Sequence, residues 1–282
     1  MLTTLKNVLC RARAGGFAVP AFDCVEDLMV RTILETAEAR RAPVILMCLE
    51  MDLAGNGWNY VPGLIRAVAD RHDVPVVLHL DHAASLEAIR RALDAGFTSV
   101  MIDGSALPFE ENVRLTREAV EMARPLGVSV EAELGHVGGS DLIESTRAHD
   151  SVLTEPDQVT RFVAETGVDA LAVSIGTSHG MYTSLPNLNI EVLKQLNAAS
   201  PVPLVLHGGS GTPDDQIREA VRNGICKLNI YADLRVAMAR GLGRSARGQN
   251  RPDPLPMEMF RPMREELAAV VAQKIELLGA RL

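Results

Sequence analysis

The chain lacks most of the features that would classify it at a glance. No run approaches the roughly 18 apolar residues of a membrane-crossing helix. The opening MLTTLKNVLCRARAGGF has no apolar stretch of signal-peptide length. Basic residues are the minority, with 28 Lys and Arg against 36 Asp and Glu and a formal net charge of −8. A general binder of nucleic acid or of an anionic membrane carries the opposite balance, so neither partner is expected. Cysteine is scarce: Cys10, Cys24, Cys48 and Cys226 stand far apart, with no C-x-x-C pair. That spacing indicates neither a zinc ribbon nor a disulfide framework. The expectation is four small core residues in a reducing compartment, hence a cytoplasmic protein. Low-complexity tracts, an evident linker and a G-x-G-x-x-G after the first apolar run are also missing.

What the chain does have is rhythm. With 47% apolar residues it can build a large core. Eight short apolar runs recur: Ala18–Phe22, Val44–Cys48, Val76–Leu80, Ser99–Ile102, Val128–Glu133, Ala170–Ser174, Leu204–Leu206 and Cys226–Ile230. Most are rich in Val, Ile and Leu, as strands buried on both faces of a parallel sheet should be. Helical patterns lie between them. One opens at Ser85 and stops at Gly96. A second takes Thr154 as its cap, Pro156 in its first turn and Gly167 as its stop. A third takes Thr212 as N-cap, Pro213 at N1 and Gly224 as its stop. Eight such units predict an α/β fold, a single (β/α)8 barrel domain spanning 1–282, with an open doubly wound sheet as the runner-up. The polar, Pro-rich stretch 243–257 reads as an exposed connection to an extra C-terminal helix, Arg261–Leu278. The extension 243–282 is expected to pack on the barrel or on a partner.

In such a barrel, chemistry gathers where strands end. The third run ends in His79, Asp81 and His82. The fifth carries Glu131 and Glu133 and leads into LGHVGGSD. The sixth is followed by GTSHG with His179, the seventh by HGGSG with His207, and the eighth ends at Asn229. Each alone is weak evidence, because a single His at a strand end is more often a packing residue. Three histidines at one rim, His82, His179 and His207, describe a catalytic divalent site, most often Zn²⁺. Period two places His79 and Asp81 on one face of their strand and His82 on the other, so a ligand at His82 requires the strand to break there. Asp81 would then sit one residue from a ligand, a good place for a general acid/base. His79 reads as structural or as a partner to the ligands. HGGSG allows the backbone to curl into an anion nest, with Gly208 and Gly209 supplying N–H groups and Ser210 a hydroxyl. The plainer reading is a tight turn between strand and helix.

The ordered blocks VPAF (19–22), LHLDHA (78–83), SVMIDGSALPFEENV (99–113), VEAELG (130–135), IGTSHGMY (175–182), LVLHGGSG (204–211) and KLNI (227–230) cover nearly the whole chain. Together they resemble the class II, metal-dependent ketose-bisphosphate aldolases, the group of fructose- and tagatose-bisphosphate aldolases. The resemblance implies a (β/α)8 barrel and a homodimer or homotetramer. It implies one zinc ion per subunit on His82, His179 and His207, with Glu133 as an alternative ligand and Glu131 structural. It implies that Asp81 moves the proton of the hydroxyl on the carbon that becomes the aldehyde. An acid on the loop, here Asp141 in place of the usual Glu, would handle the proton of a metal-stabilised enediolate. Asn229 matches a substrate contact, and Gly180, Gly208 and Ser210 match phosphate-holding positions. The implied activity is reversible cleavage of a ketose or ketose phosphate by a zinc-dependent lyase. A metal-dependent sugar epimerase or isomerase, or a non-catalytic sugar-phosphate-binding descendant, is the alternative.

The chain also departs from that pattern. Thr183 stands where the family usually has Lys. Tyr231 and Ala232 replace a small or acidic residue and a phosphate-binding hydroxyl. Met47 and Leu49 replace a Gln and a Ser, and Asp23 replaces an Asn. A cation and several hydroxyls are gone, each commonly worth about 1–3 kcal/mol to a phosphate. The expected substrate is therefore not the usual fructose 1,6-bisphosphate but a monophosphate, an unphosphorylated ketose or a keto acid.

Overall fold

The computed structural model describes residues 1–139, 151–180, 186–248 and 251–282. Eight strands carry the core: β1 (Val19–Asp23), β2 (Val44–Leu49), β3 (Val76–Ala83), β4 (Ser99–Ile102), β5 (Ser129–Leu134), β6 (Ala170–Val173), β7 (Leu204–Leu206) and β8 (Ile225–Ile230). Each pairs in parallel with the next, and β8 pairs with β1 through Lys227↔Val19 and Asn229↔Ala21. The sheet is closed, so the open-sheet runner-up falls and the (β/α)8 barrel holds. A two-residue strand, Leu2–Thr3, adds to the start of β3.

Helices wrap the outside: α1 (Leu5–Gly15), α2 (Asp27–Ala39), α3 (Gly57–Ala69), α4 (Leu86–Ala95), α5 (Phe109–Ala123), α6 (Pro156–Thr166), α7 (Ile190–Ala199), α8 (Asp214–Arg222), α9 (Ala232–Gly248) and α10 (Pro256–Leu278). Helix α1 touches β1, β5, β6 and β8, and its Lys6 N–H donates to Ser129 Oγ at the start of β5. It therefore lies across the N-terminal mouth and leaves the C-terminal mouth free. Helix α10 packs on α9, α2 and α8, where buried Lys274 pairs with Asp233 at 2.7 Å. Among the described residues no helix is long and apolar enough to cross a membrane.

Several boundaries differ from the sequence reading, each for a local reason. Helix α6 begins at Pro156 with Glu155 at its N-cap, because the Thr154 hydroxyl is engaged elsewhere. It donates to Leu134 O and accepts from Ser174 N, stitching the ends of β5 and β6. Helix α8 begins at Asp214, since Thr212 donates to Gly208 O at 3.0 Å instead of capping. Helix α10 begins five residues early, at Pro256, with Glu258 accepting from Leu255 N at 2.8 Å. Proline at N1 and an acidic residue at N3 favour that start. Positions 243–248 belong to α9 rather than to the connection. Cys10 is exposed, while Cys24, Cys48 and Cys226 are buried.

Candidate active site

Register decides what enters the barrel. Asn229 pairs with Ala21, Ala21 with Ile45, and Met47 with His79. Period two then puts Lys227, Asn229, Asp23, Met47, His79, Asp81, Glu131 and Glu133 on one face of the sheet. Contacts across the lumen show that this face is inward. Lys227 Nζ donates to both Glu131 oxygens at 2.9 and 3.0 Å. Asn229 Nδ2 donates to both Asp81 oxygens at 3.0 and 3.2 Å.

His82 has the wrong parity and still reaches the rim. Strand β3 does not end at Leu80 but continues to Ala83, with its register against β4 shifted between those two residues. His82 takes φ 44°, one of two non-glycine positive φ values among the described residues. Such a backbone is uncommon outside glycine and is held only where surroundings fix it. Here the bulge turns the imidazole toward His179 and His207, with ring centroids 4.8 and 4.6 Å away.

The three imidazoles converge with one nitrogen bare on each. His82 Nε2, His179 Nε2 and His207 Nδ1 are buried and have no hydrogen-bond partner. Donor atoms of the three rings lie within 4.8 Å of one another. Two of the opposite nitrogens are committed. His82 Nδ1 donates to Asp103 Oδ2 at 2.8 Å and His207 Nε2 donates to Glu131 Oε1 at 3.0 Å. An ionised carboxylate only accepts, so each fixes the tautomer of the neutral ring, in which the bare nitrogen is the lone pair. Together with His179 Nε2, these two nitrogens form a donor set suited to a divalent ion such as zinc. Glu133 is close by: its Oε1 accepts from Val137 N at 3.0 Å, and its Oε2 lies 3.0 Å from His207 Nδ1 without hydrogen-bond alignment. His82, Asp103 and Glu133 form a second cluster of ligand-type atoms.

Protonation follows the same geometry. Burial opposes charge on His82, but Asp81 and Asp103 outweigh it and push its pKa up to about 10 in the metal-free protein. Burial likewise opposes charge on His207, and Glu131 and Glu133 raise it. Burial drives His179 well down, helped by the other two rings. Asp81 would be raised by burial, yet His82 and Lys227 hold it below the usual carboxylate range. His79 falls to about 3 through burial and then Lys227, so it stays neutral, with Nδ1 against Ser99 Oγ at 2.7 Å.

A small cleft at the rim is lined by Asp23, Asp81, His179, Gly180, Gly208, Gly209, Ser210, Asn229 and Tyr231. Gly208 takes φ +69°, and a Cβ there would lie 2.4 Å from Ser178 O, so only glycine lets the two loops approach. The Gly209 N–H donates to Asn229 O at 3.1 Å. It is therefore not a free nest donor, and its role is close approach to β8. Ser210 Oγ accepts from Asp233 N at 3.2 Å, which leaves its O–H to donate. Asp141 and Thr183 lie outside the described residues. Sequence reasoning assigned no role to Asp103 or Lys227. Asp103 directly follows the fourth run, and Lys227 shares the parity of Asn229, so the rules applied to the other strands reach both.

The class-II fructose-bisphosphate aldolase family model matches residues 3–281. A D-tagatose-1,6-bisphosphate aldolase subunit, GatY of Klebsiella oxytoca, is 39% identical over 275 residues, 97% of this chain and 96% of that protein. Among solved structures, the YdjI aldolase of Escherichia coli K12 superposes with a TM-score of 0.88 at 35% identity, covering 99% of this chain and 98% of that one. The fructose-bisphosphate aldolase of Campylobacter jejuni does so with a TM-score of 0.83 at 26% identity, covering 99% and 95%.

Proposed function

The chain belongs to the class-II fructose-bisphosphate aldolase family, and on that premise we propose a zinc-dependent aldolase whose substrate is not fructose 1,6-bisphosphate. The observation that carries the reading is the trio of bare, buried imidazole nitrogens beside Asp81. His82, His179 and His207 would hold the ion, with Glu133 as the alternative ligand. A divalent ion bound there would draw electron density from a ketose carbonyl and steady the charge that its oxygen gains on cleavage.

The remaining work falls to the chain's own residues. Asp81, ionised and held by Asn229, removes the proton from the hydroxyl on the carbon beyond the bond to be broken. That C–O becomes a carbonyl, the carbon–carbon bond breaks, and its electron pair moves toward the substrate's original carbonyl. The new aldehyde leaves. A proton is then delivered to the carbon that received the pair, a role we give to Asp141. Gly180, Gly208 and Ser210 would orient a phosphate, Gly209 lets the loop approach β8, and Asn229 serves both Asp81 and the substrate.

Altered specificity is supported by what lines the cleft. Tyr231 and Asp23 line it, and Met47 on β2 lies in register beside Asp23, with Leu49 two residues further along the same face. Assembly as a homodimer or homotetramer and residence in the cytoplasm belong to the same proposal. Free cysteines favour a reducing compartment. The test is exchange of the carbinol proton for deuterium, followed by NMR on zinc-loaded protein. Dihydroxyacetone phosphate and dihydroxyacetone are compared as substrates. Exchange with either, lost on chelation, is expected. No exchange with both, in protein shown to hold zinc, rejects the aldolase reading, and efficient cleavage of fructose 1,6-bisphosphate rejects the altered specificity.

A further inference from the structure

The cleft is chemically lopsided. On the β7 side, the Ser210 hydroxyl is a donor, because its oxygen already accepts from Asp233 N. On the β8 and β1 side, acceptors dominate. Asn229 commits its Nδ2 to Asp81, and its Oδ1 is buried without a hydrogen-bond partner. Tyr231 donates its O–H to Asp52 Oδ1 at 3.1 Å, so toward the cleft its oxygen can only accept. Asp23 is 2% exposed, lines the cleft and adds a carboxylate. Its register places it directly above Ala21, the neighbour of Asn229. Burial, reinforced by Asp52 and Asp23, raises the Tyr231 pKa, so the phenol stays neutral. No Lys or Arg lines this cleft among the described residues. Arg235 stacks over the Tyr231 ring, 5.4 Å from its centre, and is not among the lining groups.

A wall of acceptors is matched by a group that donates. Sugar hydroxyls donate, whereas a phosphate dianion offers only acceptors and adds like charge. We propose that Asp23, with Tyr231 and Asn229, reads the substrate carbons lying against β1 and β8 as free hydroxyls and rejects phosphate there. The substrate class is then a polyhydroxy ketose carrying at most one phosphate, the one that Ser210 and its glycine loop accept. This rests on the aldolase reading and adds the residue that sets specificity.

Carbonyl-free hexitols test it, because they bind without being cleaved. D-mannitol 1-phosphate and D-mannitol 1,6-bisphosphate are suitable, since the two ends of mannitol are equivalent. Their affinities would be titrated by calorimetry against zinc-loaded wild type and Asp23→Asn, a substitution of equal size. In the wild type the second phosphate is expected to weaken binding by about 10-fold or more, as repulsion between partly buried like charges predicts. In Asp23→Asn that penalty should shrink to within about threefold. A bisphosphate that binds the wild type as tightly as the monophosphate overturns the proposal. So does a penalty that Asp23→Asn leaves unchanged, or the absence of binding by either hexitol. Deuterium exchange separates the two claims. If exchange fails while the hexitol penalty responds to Asp23→Asn, the aldolase reading falls and the role of Asp23 stands.

Discussion

In the middle of the barrel, Lys227 gives two hydrogen bonds to Glu131, His207 gives a third, and His79 is held by Ser99. One level higher, His82, His179 and His207 each leave a buried nitrogen bare, and Asn229 leaves an oxygen bare. Both groups are buried and polar, and His79 and His82, like Lys227 and Asn229, lie two or three residues apart on one strand. His207 joins the two levels; apart from it the lower set is nearly complete, its exception being His79 Nε2, 3.8 Å from Glu131 and 3.9 Å from Asp81. Leaving a buried polar atom unpaired costs about 1–3 kcal/mol, so a fold gathers several at one point only where something else supplies the partner. The difference marks where structure ends and chemistry begins.

The sharpest way to break this comparison is to remove a member of the incomplete set. His82→Asn keeps a residue that tolerates positive φ, so the bulge in β3 should survive. Metal content after zinc loading should fall toward zero. Turnover should drop at least about 1,000-fold, the equivalent of about 4 kcal/mol in transition-state stabilisation. Circular dichroism should stay unchanged. An active, metal-free variant would remove the three histidines from the reaction altogether.

The complete set should respond oppositely. Lys227→Met leaves Glu131 buried without its cation, and stability should fall by about 3–5 kcal/mol in chemical denaturation. Pairing it with Glu131→Gln should cost less than the sum of the single changes, because the charges are removed together. Additive losses would mean that the pair does not act as a unit.

Asp103 sits between the sets, touching metal chemistry only through His82. Asp103→Asn should lower zinc affinity by about 10–100-fold in a chelator competition, with the fold intact. A loss equal to that of His82→Asn would make Asp103 a direct ligand, which its place in the second cluster permits.

How much of this was readable beforehand follows from the kind of signal each residue leaves. The eight strands were legible because short β-branched runs between capped helical patterns have few other solutions. The rim residues were legible because they interrupt apolar runs at their ends. The path of β3 was not: period two excludes His82 from the inner rim, and only a bulge paired to β4 restores it. Thr154 and Thr212 read as caps because a hydroxyl before a helix usually is one. Thr154 instead donates to Leu134 O at the end of β5, 20 residues back, which a local pattern does not reveal, and Thr212 turns back to Gly208 O, four residues earlier in its own loop. Lys227 is placed by its parity with Asn229, but its partner Glu131 is 96 residues away, which no local pattern reveals.

The smallest expected effect comes from pH, and it separates the sets by sign. In metal-free protein the folded pKa of His82 lies at about 10, above its ordinary value. A raised pKa contributes stability that is fully present below pH 6.5 and is lost as pH climbs through about 10. Of the lower set, His79 and Glu131 contribute no such change in this window, whereas His207, which Glu131 and Glu133 raise against the pull of burial, adds to the fall. His79 titrates near 3, and Glu131, which burial alone would raise, is held well below the carboxylate range by Lys227 and His207. The melting temperature of metal-free protein should therefore fall between pH 7 and pH 10. Zinc-loaded protein should lack that His82-linked fall, since its imidazole gives up the proton on binding. Asp103→Asn should flatten the slope of the metal-free protein, because it removes one of the carboxylates that hold the proton. A slope indifferent to both zinc and Asp103→Asn would place the titrating group elsewhere and leave the upper set as inert as the lower.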